Sequence, residues 1–254
     1  MRRLVVALLR LIAAPAGAAE KQAPTGAFVS LHDVDPSILI EMRYFTAHDF
    51  MGRRVPGYRE PVCLLTRPTA EALTRVQAAV HAQGYTLKVY DCYRPQRAVD
   101  SFVAWAKDLS DTRMKREFYP RVRKKVLFKE GYIAKQSRHS RGSTLDLTLV
   151  KLPPRRQERY HRGDRLRDCA ASVRRRFRDN TIDMGTGYDC FDPLAHPYNA
   201  RMRGRVRLNR LKLREPMIAA GFKGLATEWW HFTLKDEPYP ETFFDFPMER
   251  ASLR

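Results

Sequence analysis

Two short stretches of the sequence place histidine near carboxylate, the residue types that hold a catalytic metal ion. His139 and Asp146 lie seven residues apart on either side of Gly142, and Glu228 and His231 lie three apart. A catalytic zinc site needs three nitrogen or oxygen ligands and one open position for water, so two histidines and one carboxylate suffice. The remaining carboxylate could take the proton of that water. These residues predict a hydrolytic metal site, and their chemistry leaves open which carboxylate is the ligand.

Both pairs need a turn in the backbone to act together. In one straight strand, His139 and Asp146 would face opposite ways, because side chains alternate along a strand. A reversal at Gly142 would let both point at one ion. Glu228 and His231 would also face opposite ways unless a turn or bulge intervenes, so one could bind metal while the other stands beside the substrate.

The elements that must position these residues are mixed helices and strands. Residues 144–150 are predicted to form a strand with Leu145, Leu147 and Leu149 on one face and Asp146 on the other. The remaining predicted elements are a helix over 68–84, a strand over 86–93, a helix that begins at Pro95, a helix over 209–220 and a β-favouring segment over 227–233. Regular βαβ alternation is absent from this order, which favours the α+β class.

The N-terminus has the pattern of a secretory signal peptide. Arg2 and Arg3 precede an apolar run over 4–14, and Ala16-Gly17-Ala18 has the form of a cleavage site. We therefore expect residues 1–18 to be removed and residues 19–254 to form one soluble catalytic domain, periplasmic or secreted. No window reaches about 18 uninterrupted apolar residues, so no transmembrane anchor is predicted.

Four cysteines fit an oxidising compartment. Cys63, Cys92, Cys169 and Cys190 allow two disulfides, and the sequence leaves all three connectivities open. No Cys-x-x-Cys pair is present, which argues against a cysteine zinc knuckle.

The formal net charge of +19 invites a nucleic-acid interpretation. Much of the charge is concentrated in residues 151–182, where eleven Lys or Arg stand against four Asp or Glu. The basic residues are not accompanied by an interleaved aromatic platform on which bases could stack, so specific nucleic-acid binding is not expected. We interpret it as a basic insertion that forms a solvated face or is attracted to anionic polymers of the cell envelope.

The order and spacing of the motifs resemble the D-alanyl-D-alanine dipeptidases, zinc enzymes related to D,D-carboxypeptidases and to the metal site of hedgehog signalling domains. The family pattern Ser-x-His-x-x-Gly, with aspartate four residues after the glycine, appears here over 137–146, and its Glu-x-x-His pattern appears over 228–231. Two further strings resemble the family, YDCYRP over 90–95 and DMGTGYD over 183–189. All four motifs occur in the family's order along the chain. The resemblance covers roughly residues 34–234.

The resemblance implies a central antiparallel sheet with helices packed around it and one zinc ion on the sheet. It implies that His139, Asp146 and His231 bind zinc and that Glu228 is the general base and acid. Arg94 would stabilise the oxyanion at the scissile carbonyl, a role that its fixed positive charge suits.

The resemblance also implies a small D,D-dipeptide as substrate, in cell-wall peptide metabolism or in resistance to glycopeptide antibiotics. Tyr44, Ser137 and Asp183 are expected to hold the termini of the dipeptide. Asp183 would face the ammonium group and Ser137 the carboxylate.

Three alternatives remain open at this point. The chain could be a D,D-carboxypeptidase that trims longer peptidoglycan peptides, which an open groove rather than a closed pocket would favour. It could be a non-catalytic zinc-binding cell-wall module, although Glu228 argues against this because a purely structural site needs no base. A nucleic-acid binder would be revealed by salt-dependent retention of DNA.

Overall fold

The computed structural model describes residues 23–254, so the predicted signal peptide over 1–18 lies outside the described residues. Five α-helices occur within 23–254: α1 (Leu31–Val34), α2 (Arg67–His81), α3 (Gln96–Lys107), α4 (Lys115–Phe118) and α5 (Gly204–Ala219). The strands in the same range are β1 (Phe28–Ser30), β2 (Leu39–Ile40), β3 (Leu64–Thr66), β4 (Tyr85–Asp91), β5 (Thr144–Lys151), β6 (Phe222–Gly224) and β7 (His231–Leu234).

Five strands form the central sheet in the order β2-β4-β5-β7-β6, and β1 pairs with β3 in a separate small sheet. The pairs β4/β5, β5/β7 and β6/β7 are antiparallel, whereas the edge strand β2 is parallel to β4. The α+β class is therefore confirmed, and the central sheet is antiparallel except at this one edge.

The helices have the apolar faces that the sequence predicts. In α2, Leu73, Val76 and Val80 are buried, and the helix contacts β4 and α5. In α3, Val99, Phe102 and Ala106 are buried on one side. Burial of its apolar face fixes α2 beside β4, the strand that leads to Asp91 and Arg94.

Four element boundaries differ from the prediction by two residues or more. Helix α2 ends at His81 and strand β4 at Asp91, three and two residues earlier than predicted, and the starts of α5 and β7 differ further. Helix α5 begins at Gly204 and not near 209. The prediction missed its first turn because Arg205 and Arg207 are solvent-exposed and give that turn little apolar periodicity. Strand β7 begins only at His231, so the aromatic segment before it is not a strand. Here the backbone N–H of Trp229 bonds to the carbonyl of Ala195 rather than to a neighbouring strand.

The structure chooses one of the three cysteine connectivities. Cys63 pairs with Cys92, which joins the start of β3 to the end of β4, and Cys169 pairs with Cys190. The second bridge ties the basic segment to the chain that follows it.

The basic segment over 151–182 contains no helix or strand after Lys151, the last residue of β5. It is nevertheless anchored to the sheet, since the carboxylate of Asp179 pairs with the buried side chains of Lys88 and Arg43. Asn180 and Gln157 also accept hydrogen bonds from Lys88 Nζ, at 2.8 and 2.7 Å. Within 23–254, no helix is long and apolar enough to cross a membrane.

Candidate active site

Asp146 and His231 lie side by side on adjacent strands of the central sheet. They are direct partners in the antiparallel pairing of β5 with β7, which puts both side chains on one face. His231 Nδ1 lies 3.1 Å from Asp146 Oδ1, and both residues are buried. The register of two strands therefore brings together residues that are far apart in the sequence.

His139 reaches the same point from a 3₁₀ turn, Arg138–Arg141, that ends at Gly142. Gly142 has φ of 80°, a left-handed conformation that favours glycine, and a Cβ here would lie 2.2 Å from the Phe28 ring. The predicted reversal at Gly142 is thus confirmed. It places His139 Nε2 3.3 Å from Asp146 Oδ1 and 3.2 Å from His231 Nδ1.

A backbone carbonyl orients the His139 ring. Its Nδ1 lies 2.7 Å from the carbonyl oxygen of Cys92. A carbonyl oxygen can only accept, so Nδ1 carries the hydrogen and donates a hydrogen bond to that oxygen. The lone pair of Nε2 is then left to face Asp146 and His231. Metal-binding histidines commonly have such an outer partner.

The three side chains fit a metal ion. One ligand atom from each of His139, Asp146 and His231 lies within 4.8 Å of the others. Asp146 Oδ1, at the centre of the group, is buried without a hydrogen-bond partner, which a bound cation would supply. Burial by itself raises the pKa of Asp146, but the two histidines outweigh this and hold that pKa below its usual range. Two imidazoles and one carboxylate are a donor set that suits zinc.

Tyr188 holds the second oxygen of the Asp146 carboxylate. Its hydroxyl donates a hydrogen bond of 3.0 Å to Asp146 Oδ2, while its ring stacks on Tyr90 with centroids 4.4 Å apart. Sequence reasoning missed this contact, because Tyr188 follows Asp146 by 42 residues and only the fold brings them together.

Glu228 lies beside the metal cluster and outside strand β7. Its Oε2 is 3.6 Å from His231 Nδ1, a proximity that the irregular backbone before His231 permits. Burial, and next the negative charge of Asp146, raise the pKa of Glu228 to about 8. A carboxyl group with this pKa can both accept and return a proton near neutral pH.

Arg94 is fixed by a buried carboxylate. Its Nε and Nη2 bond to Asp91 Oδ2 at 2.9 and 2.8 Å, and Asp91 Oδ1 also accepts the Tyr58 hydroxyl at 2.6 Å. Arg94 Nη2 then lies 3.7 Å from Asp146 Oδ2. Burial lowers the pKa of Arg94, but Asp91 and its neighbours more than offset this and leave the pKa above its usual value. The guanidinium is a fixed positive charge beside the cluster.

The three candidate ligands, Glu228 and Arg94 line one cavity of about 290 Å³. Tyr44 and Ser137, both predicted from the sequence, line it as well. Ser137 Oγ accepts the backbone N–H of His139 at 3.3 Å and lies 3.5 Å from Arg94 Nη1. Tyr44 donates its hydroxyl to Asp189 Oδ2 at 2.7 Å.

Asp189, which sequence reasoning missed, is a buried carboxylate in the wall of this cavity. Its φ of 55° is left-handed, a conformation that aspartate and asparagine adopt more readily than most residues. Burial raises the pKa of Asp189 well above its usual value, and the Tyr44 hydrogen bond offsets part of that effect.

Asp183 does not line the cavity, in contrast to the sequence expectation. Its Oδ1 bonds to Arg176 Nη2 at 2.5 Å and to the backbone N–H of Gly185 at 2.8 Å. Asp183 and Asp189 flank the same glycine-containing string, and no spacing signal distinguishes them. The direction of each side chain depends on the backbone between them, which bends at Gly185, where φ is 86°, and turns at residues 188–189.

Two histidines and a carboxylate that meet beside the central sheet, with a second carboxylate near enough to move a proton, make up a hydrolase active site. A family model described as Peptidase_M15, D-ala-D-ala dipeptidase, matches residues 25–156 and 155–249. This chain belongs to that family and is a peptidase. The two matched stretches meet inside the basic segment.

Several curated proteins are similar over most of their length. A D-alanyl-D-alanine dipeptidase of Streptomyces coelicolor is 38% identical over 225 residues, which cover 88% of this chain and 99% of the relative. One from Enterococcus faecium is 32% identical over 87% of this chain and 98% of the relative. One from Enterococcus faecalis is 34% identical over 86% of this chain and 96% of the relative.

Proposed function

We propose that this protein is a zinc-dependent D,D-dipeptidase that hydrolyses D-alanyl-D-alanine. The observation that carries the proposal is the meeting of His139, Asp146 and His231 in one small cavity with Glu228 and Arg94. Zinc held by the three ligands would supply a Lewis acid and lower the pKa of water.

Glu228 is the group that moves the proton. It stands 3.6 Å from a ligand nitrogen, which places it beside any water or carbonyl bound at the cluster. We assign to it the removal of a proton from the attacking water and the return of that proton to the departing amine nitrogen. The oxygen of that water adds to the carbonyl carbon, the C–N bond breaks as the amine nitrogen takes the proton, and Glu228 is left as the carboxylate that began the cycle.

Arg94 opposes the negative charge that develops on the scissile carbonyl oxygen. Its guanidinium is already oriented by Asp91, so it needs no rearrangement when the charge appears. Packing of its carbon over the Tyr44 ring, 5.0 Å from the ring centroid, adds to this orientation.

Asp189 takes the ammonium-binding role that the sequence assigned to Asp183. It is the buried carboxylate that lines the cavity, and Tyr44 holds one of its oxygens. Ser137, next to Arg94, remains the group proposed for the carboxylate end of the substrate.

The size and charge of the cavity favour a dipeptidase over a D,D-carboxypeptidase. About 290 Å³ lies at the lower end of the range for small-molecule sites. An N-acylated peptide would bring no ammonium to Asp189 and would leave a buried polar group without a partner, which discriminates strongly against such a substrate.

Export from the cytoplasm fits the same proposal. Cys63–Cys92 and Cys169–Cys190 are disulfides, which persist in oxidising compartments. Together with the predicted signal peptide, they support a periplasmic or secreted protein, where cell-wall peptides occur. Whether it serves wall-peptide metabolism or glycopeptide resistance depends on its host.

The test is a comparison of three substrates with zinc-loaded and chelator-treated protein: D-Ala-D-Ala, its L,L isomer and an N-acylated tripeptide that ends in D-Ala-D-Ala. We expect zinc-dependent cleavage of the free D,D-dipeptide alone. Cleavage confined to the acylated tripeptide would replace the proposal by the carboxypeptidase alternative. Absence of cleavage by protein with bound zinc would favour the non-catalytic module.

A further inference from the structure

The basic segment over 151–182 is a fixed surface, because all four of its carboxylates are used for internal contacts. Glu158 and Asp179 bond within the fold, Asp168 pairs with a neighbouring loop, and Asp164 closes a local turn. The partners are Arg167 for Glu158 at 2.8 Å, Arg121 for Asp168 at 2.8 Å, Arg43 for Asp179 at 3.0 Å and the backbone N–H of His161 for Asp164 at 2.7 Å.

The positive charges of the segment, in contrast, point outward. Ten of its eleven basic residues are arginine. Eight of these are exposed and form no ion pair with any residue of 23–254: Arg155, Arg156, Arg159, Arg162, Arg165, Arg174, Arg175 and Arg178. Three of the four acids are paired with arginine or lysine, so within this segment Asp164, at an exposed turn, is the remaining negative charge on a strongly positive outer face.

This face borders an open groove. A cavity of about 1510 Å³ lies between the segment and the edge strand β2, and an adjoining cavity of about 580 Å³ continues it. Arg156 and Arg178 line both cavities. Between the arginines stand neutral hydrogen-bonding groups, among them Thr46, Gln157 and Tyr160. The two carboxylates that line the larger cavity are paired with cations, Glu41 with Arg43 and Lys88 and Glu158 with Arg167.

We propose that this groove binds a linear polyol phosphate polymer of the cell envelope. The paired N–H donors of arginine match the two free oxygens of a phosphodiester, and arginine is the residue that this segment uses. The neutral groups suit the hydroxyls of a polyol. A concave, elongated groove fits a polymer chain better than a flat lipid surface, and the two disulfides indicate an oxidising compartment such as the cell envelope, where such polymers occur.

The groove is separate from the catalytic cavity. Neither of its two cavities shares a lining residue with the cavity that holds the metal cluster, although Tyr188, which bonds to Asp146, lines the smaller of the two. Polymer binding would therefore keep the enzyme on the cell wall while the catalytic cavity stays open to dipeptide. It follows that the two properties can be altered independently.

The test uses the mature protein and fluorescently labelled poly(glycerol phosphate), with Kd measured by anisotropy over a series of salt concentrations. The groove variant is R156Q/R159Q/R178Q. Its matched control is R123Q/K125Q/K129Q, which removes three exposed charges that line neither groove cavity. Dipeptide hydrolysis and the thermal midpoint, measured for both variants, verify that each is folded.

We expect the groove variant to raise Kd on the order of tenfold and to reduce the salt slope by roughly two, since each lost phosphate contact removes counterion release. The control should change Kd little. Equal weakening by the two triple variants would overturn the proposal, because net charge alone would then explain binding. The proposal would also be overturned if the wild-type protein did not bind poly(glycerol phosphate). The same conclusion would follow if it bound alginate, anionic vesicles or duplex DNA more tightly than poly(glycerol phosphate) at the same salt concentration.

Discussion

Tyr188 donates a hydrogen bond to Asp146 Oδ2, at 3.0 Å, and so leaves Oδ1 of that carboxylate to face the two histidines. Replacing Tyr188 by phenylalanine removes the donor and keeps the ring that stacks on Tyr90. Since outer partners of metal ligands commonly contribute tenfold or more to metal affinity, we expect Y188F to weaken zinc binding on the order of tenfold. Competition with a chromophoric chelator measures the zinc Kd of the wild type and the variant. An unchanged Kd would show that Tyr188 does not contribute to zinc binding.

Glu228→Gln should abolish turnover without releasing the metal. Glutamine keeps the size of the side chain but cannot accept the proton of water, so kcat should fall by roughly 10²–10⁴-fold. Zinc content, measured by atomic emission after gel filtration, should stay near one per chain. His231→Ala is the matched comparison, because it removes a ligand and should lose zinc together with activity. Retained turnover in the glutamine variant would contradict the assignment of Glu228 as the base.

Asp189→Asn and Asp183→Asn distinguish the structural assignment from the one made on sequence. Asparagine tolerates the left-handed backbone at position 189, so the fold should survive while the charge is lost. We expect D189N to lower kcat/KM for D-Ala-D-Ala by about 10²-fold or more, because the ammonium loses a charged partner in a buried site. D183N should leave kcat/KM nearly unchanged, and the reverse order of the two effects would restore Asp183.

The ion pairs of Asp179 should make stability depend on pH. Burial alone raises the pKa of Asp179, but Lys88 and Arg43 outweigh it and hold the pKa below its usual value. A carboxyl group whose pKa is lower in the folded state stabilises the fold above its unfolded pKa, about 3.9, and this contribution is lost as the pH falls through the folded value.

We therefore expect Asp179→Asn to lower the free energy of unfolding by about 1–3 kcal/mol near neutral pH, since Lys88 and Arg43 are buried and keep only Glu41 as a carboxylate partner. The difference from wild type should shrink as the pH is lowered through the titration of Asp179. Urea unfolding at several pH values measures it. Asp164→Asn, at an exposed acid of the same segment, should change stability by less than about 0.5 kcal/mol. A difference that is the same at all pH values would contradict the ion-pair explanation.

Local patterns predicted most of the elements that carry the site. Leu145, Leu147 and Leu149 alternate with Asp146, which located β5, and Gly142 marked the reversal that brings in His139. These predictions succeeded because the signal lies within a few residues of the chain. Strand β7 was predicted four residues too early, because the aromatic residues before His231 favour a strand locally but pack against the chain at Ala195.

The roles of side chains were harder to predict from the sequence where two residues of the same type stand close together. Asp183 and Asp189 are both acidic and flank one string, yet one pairs with Arg176 and the other lines the cavity. Asp91 and Tyr188 were missed for a related reason, since their partners Arg94 and Asp146 become relevant only once β4 and β5 are paired.

The sequence by itself determined the family and the α+β class, and its short motifs, through their resemblance to that family, predicted the three candidate metal ligands and the nearby glutamate, because these depend on residue types at short, regular spacings. Only the tertiary structure decided which aspartate enters the cavity, which cysteines pair and where the acids of the basic segment turn inward. The physical reason is that each of these depends on strand register and on contacts between residues far apart in the chain. Short-range periodicity carries no information about such contacts.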